Sequence, residues 1–381
     1  MRNLLAAGCL LLSALTALAE EPAPPWLRLG PHTAYDGVTD DLVTGGLGAD
    51  AMLGKRPGYV DPLHPTVAEL RRAALFQPGR GGQGFGRLFG PDVDETSGEK
   101  IPGEGKVAGE EYLAYADDGE GKQNVAMLLQ IPASLSSERH CLVAIPVNGS
   151  ASLFRDVVDF GFWGLRHGCA VVYTDKGHGN GFAMLEQDSV NILDGRQVPT
   201  AEAGRDAHFR PDLDDDARAK FLAEWPHRIA FKAAHSKQNP EKDWGEDLLK
   251  AIRFAFYQLG QRDPGFTRNT TLVIATGSSN GGGAVLYAAE RDARPARISS
   301  TPSLRVNRKF SSSPTTASWW RADRSSGAVA GARCSTTSRS ATSINPARRS
   351  QQRPSRRTEA SPTAERGLGH SRPTSDQAEQ T

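Results

Sequence analysis

The sequence lacks most of the patterns that mark metal, nucleotide and nucleic-acid sites. Its histidines and four cysteines match no zinc spacing. The glycine-rich tract 79–86 lacks the Lys-Ser/Thr pair of a phosphate-binding loop, and no glutamate closes a calcium loop after Asp36, Asp40 and Asp41. Residues 1–291 hold 29 basic against 38 acidic residues, with few basic clusters. We therefore expect no metal, no cofactor and no nucleic-acid partner, and we interpret these stretches as loops, turns and surface.

The last quarter of the chain has few acidic and few large apolar residues. Residues 292–381 hold 16 Lys and Arg against 6 Asp and Glu, so the overall charge of +1 combines an acidic body with a basic tail. Arg, Ser, Thr, Ala and Pro dominate this tail, and no strand–helix alternation is visible in it. Such a composition is typical of a disordered segment. We expect a low-complexity, disordered basic tail at 292–381.

The sequence has one long apolar run, at its N-terminus. Arg2 precedes an apolar stretch, 4–18, and Ala17-Leu18-Ala19 suits a signal peptidase. The stretch is short for a transmembrane helix, and a Pro-rich polar segment follows it. We predict a signal peptide at residues 1–19, secretion to the periplasm or the extracellular space, and no stable membrane anchor. A retained N-terminal anchor is the alternative.

Two of the four cysteines begin strand-like runs. They are Cys141, which precedes Leu-Val-Ala-Ile, and Cys169, which precedes Ala-Val-Val-Tyr. If these strands are parallel neighbours, both sulfurs start at the same sheet edge, where geometry permits a bridge. Export would allow a disulfide to persist. A Cys141–Cys169 disulfide and two separate buried thiols both remain open at this point.

The hydrophobic pattern indicates an α/β fold in residues 107–291. A loop-rich region, 20–106, precedes it and contains one predicted helix, 66–75, because Thr66 and Glu69 have capping-box spacing. The later segments alternate strand and helix. They are a hairpin (107–116 with 124–133), the strand at Cys141, a helix over 152–167 capped by Ser152, the strand at Cys169, a helix over 243–260 and a strand over 271–276. This order predicts the N-terminal portion of an α/β-hydrolase-like sheet, incomplete at its C-terminal side.

A long polar insertion, 177–242, interrupts the alternation. It is too long for a simple connection in a compact domain, and we interpret it as a lid or a substrate-facing insertion. The spacing of its histidines fits no zinc site, so surface or packing roles are predicted for them. These histidines are His178, His208, His227 and His235.

The strongest motif follows the last predicted strand. The apolar, β-branched run 271–276 leads into Gly277-x-Ser279-x-Gly281 and then into a helix-like segment. This pattern is typical of a nucleophile elbow, in which a sharp and strained turn exposes a serine hydroxyl. Glycines two residues to either side let the flanking backbones pass closely. We predict that Ser279 is a catalytic nucleophile; a plain glycine-rich turn is the alternative.

Two loops are candidates for an oxyanion hole. One donor in such an architecture is the N–H of the residue after the nucleophile, here Asn280. The other comes from the loop after an earlier strand, here Gly149 or Ser150. The alternative is that Asn148-Gly149 forms only a turn.

Several strings of the sequence resemble one bacterial family, the D-(−)-3-hydroxybutyrate oligomer hydrolases. The similarity runs over roughly 28–291 and is carried by residues 35–42, 111–119, 168–177, 235–241 and the Ser-Asn-Gly-Gly-Gly string at 279–283. The resemblance implies a serine esterase that cuts dimers and short oligomers of 3-hydroxybutyrate to the monomer in polyhydroxybutyrate degradation. It also implies that Ser279 is the charge-relay nucleophile. A looser likeness to tannase and feruloyl-esterase sequences, around 173–179, points to aromatic esters instead.

The sequence does not identify the acid and base that a catalytic serine needs. In α/β-hydrolases both follow the nucleophile, and beyond residue 291 the only histidine is His370. We hypothesise that 292–381 is an out-of-frame translation, which would leave an aggregation-prone chain with little esterase activity. A genuine disordered tail is the alternative. A non-catalytic secreted binding protein, or a polyanion-binding protein that uses the basic tail, are alternatives to an enzyme.

Overall fold

The fold is known from a computed structural model, which describes ten stretches of the chain. They are 22–76, 93–94, 97–100, 102–117, 119–120, 124–149, 151–178, 181–232, 240–293 and 305–306. The predicted signal peptide, His235, Ser150, His370 and nearly all of the predicted basic tail lie outside the described residues. Among the described residues, no helix combines the length and the apolar character needed to cross a bilayer.

A seven-stranded mixed sheet is the larger of the two sheets in the described residues. Its strands are β1 (Leu27–Tyr35), β2 (Gly109–Ala116), β3 (Val125–Pro132), β4 (Cys141–Pro146), β5 (Ala170–Thr174), β10 (Leu272–Ala275) and β11 (Arg305–Val306). The order across the sheet is β1-β2-β3-β5-β4-β10-β11. Neighbours from β1 to β5 pair antiparallel, whereas β5, β4, β10 and β11 run parallel. The structure therefore confirms a mixed α/β fold and the predicted hairpin of β2 and β3.

Alternation along the central strands fills two cores, one on each face of the sheet. Leu142 and Ala144 of β4 lie in the core covered by helix α6 (Trp244–Arg262), while Val143 and Ile145 face the opposite core. Successive side chains of a strand point to opposite faces, so a strand covered on both sides is apolar throughout. This explains why β3, β4 and β5 are buried along their whole length.

Six further helices complete the described fold. They are α1 (Gly48–Met52), α2 (Val67–Leu75), α3 (Phe162–Arg166), α4 (Thr200–Ala203), α5 (Asp215–Glu224) and α7 (Ser279–Ala293). The predicted capping box of α2 is present, with the Thr66 side chain accepting from the Glu69 N–H and the Glu69 side chain accepting from the Thr66 N–H. Two of the predicted helices, 66–75 and 243–260, appear within two residues of their expected bounds as α2 and α6.

The prediction of one continuous helix over 152–167, capped by Ser152, is wrong. The segment begins as a 3₁₀ turn, Leu153–Asp156, continues as a π-helical turn, Val157–Gly161, and becomes α-helical only in α3. Ser152 makes no side-chain cap. Two tertiary contacts explain the irregularity: the Asp156 carboxylate binds the loop after β4, and Gly161 packs directly against the Tyr173 hydroxyl. Irregular turns of this kind recur near functional sites.

The predicted polar insertion contains a small antiparallel sheet. Its strands are β6 (Phe182–Met184), β7 (Ser189–Asn191), β8 (Gln197–Pro199) and β9 (Ile229–Phe231), in the order β8-β7-β6-β9. The sheet has its own apolar core, with Ala183, Val190 and Phe209 buried. Strands of three residues are too short to show a period of two in the sequence, which is why this sheet was not predicted.

The main sheet also extends past the elbow strand. β11 pairs with Ile274 and Ala275 of β10 in parallel register. We expect a tail without strand–helix alternation at 292–381, and this short strand is the strand that the structure describes there. A pair of residues carries no periodic signal, and only the partner strand reveals it.

Candidate active site

Ser279 lies at the junction of β10 and α7, with its backbone in the left-handed region. Its φ is +51°, and the residue is exposed. A residue with a Cβ pays about 1–2 kcal/mol for this conformation, and such strain occurs where a sharp turn presents a functional side chain. The short connection between strand and helix imposes the turn, because the chain must reverse direction within three residues, 276–278.

The glycines of the motif allow two close backbone approaches. A Cβ on Gly277 would come within 2.8 Å of the Gly281 carbonyl carbon. A Cβ on Gly281 would come within 2.4 Å of the Pro146 carbonyl oxygen, at the end of β4. By contrast, a Cβ on Gly283 would meet nothing within 4 Å. Gly277 and Gly281 are therefore required by packing, whereas Gly283 is not.

The loop after β4 contacts the elbow directly. The Gly149 N–H donates to Asn280 Oδ1 over 2.7 Å, and Asn148 Nδ2 lies 3.3 Å from Ser278 Oγ. These contacts join residues about 130 positions apart in sequence, because β4 and β10 are parallel neighbours whose carboxyl ends meet. The structure thus brings the two predicted oxyanion loops together.

The two loops differ in the backbone donors that they offer. The Asn280 N–H belongs to the first turn of α7, where no intrahelical acceptor exists, and among the described residues no other group accepts its hydrogen. The Gly149 N–H is occupied by the Asn280 side chain. Ser150 lies outside the described residues. Of these backbone donors, the Asn280 N–H is therefore the one without an acceptor among the described residues.

Asp156 holds the loop after β4 through two hydrogen bonds to Asn148. Its carboxylate accepts from the Asn148 N–H and from Asn148 Nδ2, both over 2.7 Å. The side chain is fully buried, and burial raises the pKa of Asp156 to about 6, although the backbone hydrogen bond from Asn148 acts in the opposite direction. A carboxylate that receives both donors of Asn148 fixes the orientation of that side chain toward Ser278.

Lys176, like Asp156, is a site residue that the sequence analysis did not predict. It follows the carboxyl end of β5, is fully buried, and has a φ of +57°. Its ammonium donates to the carbonyl oxygens of Val147 and Gly149, the latter over 3.1 Å. Burial lowers the pKa of Lys176 to about 8. The sequence shows a lysine and an aspartate directly after an apolar strand, which indicates polar residues at the edge of the sheet. The partners of Lys176 are not visible in the sequence.

The three described histidines of the insertion lie in different environments. His208 is buried and its Nε2 lies 2.8 Å from Asp175 Oδ2, while His178 packs beside Trp244. His227 is exposed and meets Glu186. Within the described stretches, no group of three or more His, Cys, Asp and Glu residues could hold a metal ion.

Cys141 and Cys169 form a disulfide. Cys141 begins β4, and Cys169 immediately precedes β5, its parallel neighbour. The disulfide therefore joins the amino ends of these two strands. Their carboxyl ends lead into the loop 147–149 and to Lys176. The disulfide lies at the opposite sheet edge from Ser279 and has a structural role.

Comparison with known proteins identifies relatives of this chain. The family model described as 3HB-oligomer hydrolase matches residues 17–303. A D-(−)-3-hydroxybutyrate oligomer hydrolase of Polaromonas naphthalenivorans (strain CJ2) is 43% identical over 286 residues, and one of Burkholderia vietnamiensis (strain G4 / LMG 22486) is 43% identical over 279. These alignments cover 71% and 69% of this chain but 40% of each relative. The chain thus spans about two fifths of the length of these relatives.

No solved structure matches the chain. The family match nevertheless contains every described site residue, from the loop after β4 to the elbow. A match over three quarters of the chain, together with relatives above 40% identity, establishes its ancestry. The chain belongs to the 3HB-oligomer hydrolase family.

Proposed function

We propose that this protein is a serine esterase that hydrolyses 3-hydroxybutyrate dimers and oligomers to the monomer, in polyhydroxybutyrate degradation. The observation that carries the proposal is the exposed Ser279, held in a left-handed backbone conformation between a parallel strand and a helix. The curated relatives, named for 3-hydroxybutyrate oligomers, support the substrate class. A small-molecule ester is the only partner that this function requires.

The chemistry proceeds through an acyl-enzyme. Ser279 Oγ attacks the ester carbonyl while a base takes its proton, and the carbonyl oxygen becomes an alkoxide that the Asn280 N–H stabilises. Collapse breaks the ester C–O bond and releases one hydroxy acid, which receives the proton. Water then cleaves the acyl-serine. The base and its orienting carboxylate are not identified in this chain: they follow the nucleophile in α/β-hydrolases, and beyond residue 291 the only histidine is His370. Our proposal that 292–381 is out of frame entails a low rate of hydrolysis by this chain.

We also propose that the main sheet is an α/β-hydrolase sheet. Two features support this assignment. The elbow follows β10, a parallel strand with β4 beside it, and the second candidate oxyanion loop follows β4. The small sheet of residues 182–231 is then the lid or substrate-facing insertion of this domain.

Export of the protein is part of the proposal. The Cys141–Cys169 disulfide supports it, because such bonds persist in oxidising compartments. Edman sequencing of the protein recovered from the periplasm or the medium should begin at Glu20. Recovery of full-length chain from the cytoplasm alone would refute export.

A substrate assay with covalent labelling tests the esterase. The purified chain is incubated with the linear 3-hydroxybutyrate dimer, and monomer release is measured beside the rate of phosphonylation by a fluorophosphonate probe. We expect labelling to map to Ser279 by peptide mass spectrometry and to vanish, together with hydrolysis, in Ser279→Ala. Ser137→Ala is the control, since Ser137 is exposed in the connection between β3 and β4, and it should retain the labelling. Hydrolysis that persists in Ser279→Ala would rule out the proposed nucleophile.

A further inference from the structure

Lys176 is a buried cation with an unusual set of partners. Its ammonium binds two backbone carbonyls of the loop after β4 and lies 5.5 Å from the centre of the Trp244 ring. Among the described residues, no carboxylate forms an ion pair with it; Asp156, Asp175 and Asp247 act on it only over longer distances. A buried ammonium is strongly destabilising unless it is compensated. Here the charge is compensated by the two carbonyl oxygens of the loop after β4 and by the Trp244 ring.

Lys176 and Asp156 hold the same peptide group from its two ends. The Val147 carbonyl accepts from the Lys176 ammonium, and the N–H of the same peptide unit, on Asn148, donates to the Asp156 carboxylate. The cation therefore aligns the dipole of this peptide with the anion on its other side. Charge-assisted hydrogen bonds of this kind are stronger than neutral ones and fix orientation.

The hydrogen bonds continue from this peptide to the elbow. Lys176 also binds the Gly149 carbonyl, and the Gly149 N–H donates to the Asn280 side chain. Asn280 carries the backbone donor next to Ser279. A displacement of the loop would therefore be transmitted to the first turn of α7 through one hydrogen bond.

We propose that Lys176 is a positioning residue for acylation, whose buried charge holds the 147–149 loop against the elbow and so sets the placement of Asn280 beside Ser279. The inference rests on the proposed esterase function. Lys176 does not touch the reacting atoms, because its ammonium is buried beneath the loop and is committed to the Val147 and Gly149 carbonyls.

Two measurements on the full chain test this role. Lys176→Met keeps the length of the side chain and removes the charge, Lys176→Gln is a second neutral variant, and the exposed Lys220→Met in α5 is the matched control. Hydrogen exchange by mass spectrometry reports the Asn148 and Gly149 amides, and the fluorophosphonate reaction reports Ser279. We expect exchange of these amides to accelerate about tenfold or more and labelling to slow by about tenfold to a hundredfold in both Lys176 variants. Lys220→Met should change neither.

The outcomes separate the two proposals. If both Lys176 variants are labelled at the same rate as the wild type, the positioning role is overturned and the esterase proposal stands. Faster exchange with unchanged labelling also overturns it, because Lys176 would then be only structural. A wild type that is never labelled at Ser279 removes the esterase proposal and the positioning role with it. Circular dichroism and thermal melting identify a variant that fails to fold, and in that case the other variant decides.

Discussion

At the scale of single residues, strain and close contact define the elbow. Ser279 occupies a backbone region that favours glycine, yet a hydroxyl is required there for the proposed reaction. Gly281 allows the helix to pass the end of β4. At position 279 the backbone conformation favours glycine whereas the proposed reaction requires serine. At position 281 the packing against β4 requires glycine.

Ser279→Gly should be more stable than Ser279→Ala by about 1 kcal/mol, because only alanine retains the left-handed strain. Urea unfolding of both variants measures the difference, and both should lack labelling by the fluorophosphonate probe. Ser278, which has no positive φ, provides the control pair. There glycine should be the less stable variant by about 0.5–1 kcal/mol, the usual entropic effect. If the alanine variant were more stable than the glycine variant at both positions, Ser279 would not be strained.

Gly281→Ala and Gly283→Ala should have opposite effects on stability. The first places a Cβ 2.4 Å from the Pro146 carbonyl oxygen and should lower the free energy of unfolding by about 1–3 kcal/mol. The second adds a Cβ that meets nothing and should raise it by about 0.5–1 kcal/mol, since alanine is the better helix former. Differential scanning calorimetry of the two variants checks the signs, and a destabilised Gly283→Ala would contradict the packing described.

The loop after β4 gives the stability a pH dependence through Asp156. Burial raises its folded pKa to about 6 from an ordinary 3.8, so the native chain binds more protons than the unfolded chain between these values. The free energy of unfolding should therefore fall as the pH rises from about 4 to 6, by up to about 3 kcal/mol. Asp159, Arg155 and Lys176 are the charged groups that act on this carboxyl.

Asp156→Asn should lack this decrease, as measured by urea unfolding at several pH values. The exposed Asp216→Asn in α5 is the control and should follow the wild type. A decrease of the same size in Asp156→Asn would show that another group titrates in this range.

At the scale of elements, a buried ion pair joins the N-terminal region to the sheet. Arg71 of α2 makes two hydrogen bonds to Glu111 of β2, through Nε over 2.8 Å and Nη2 over 3.0 Å. The Gln130 side chain of β3 donates a hydrogen bond to Glu111 through Nε2 and accepts one from the Tyr173 hydroxyl of β5 through Oε1. This network links three neighbouring strands to the helix, and all its polar members are buried or partly buried.

Arg71→Met should destabilise the fold by about 3–5 kcal/mol, because it leaves the Glu111 carboxylate buried without its cation. The double variant Arg71→Met/Glu111→Gln should recover part of this loss. Chemical denaturation of the single and double variants measures the coupling, with the exposed Arg56→Met as the control within about 0.5 kcal/mol of wild type. Strict additivity of the two changes would show that the pair is not coupled.

At the scale of the whole molecule, the disulfide restricts the unfolded chain. It joins residues 28 positions apart and removes loop entropy from the denatured state. Cys141→Ala/Cys169→Ala should therefore lower the free energy of unfolding by about 2–4 kcal/mol. The wild type should lose a similar amount in dithiothreitol, and the variant should not respond to the reductant. A wild type with the same thermal midpoint with and without reductant would contradict this.

Local features of this protein were predictable because their causes are local. Thr66 and Glu69 are three residues apart, so the capping box is visible in the sequence, and the elbow combines a strand, two glycines and a helix within about a dozen positions. The prediction of a helix over 152–167 failed because two contacts distant in sequence distort it: Asp156 binds Asn148 in the loop after β4, and Gly161 packs against Tyr173 of β5. The strands of the insertion failed because three residues do not show a period.

The sequence by itself predicted a strained strand–helix turn at Ser279 within an α/β fold, and the parallel pairing of β5, β4 and β10 came from the structure. The tertiary structure alone decided which side chains support that turn. Lys176, Asp156 and Asn280 are distant in the chain and meet only because β5, β4 and β10 end side by side. Hydrophobic periodicity specifies which face of each strand is buried, but strand order depends on the packing of the whole sheet, and a buried charge has no period by which it could be found.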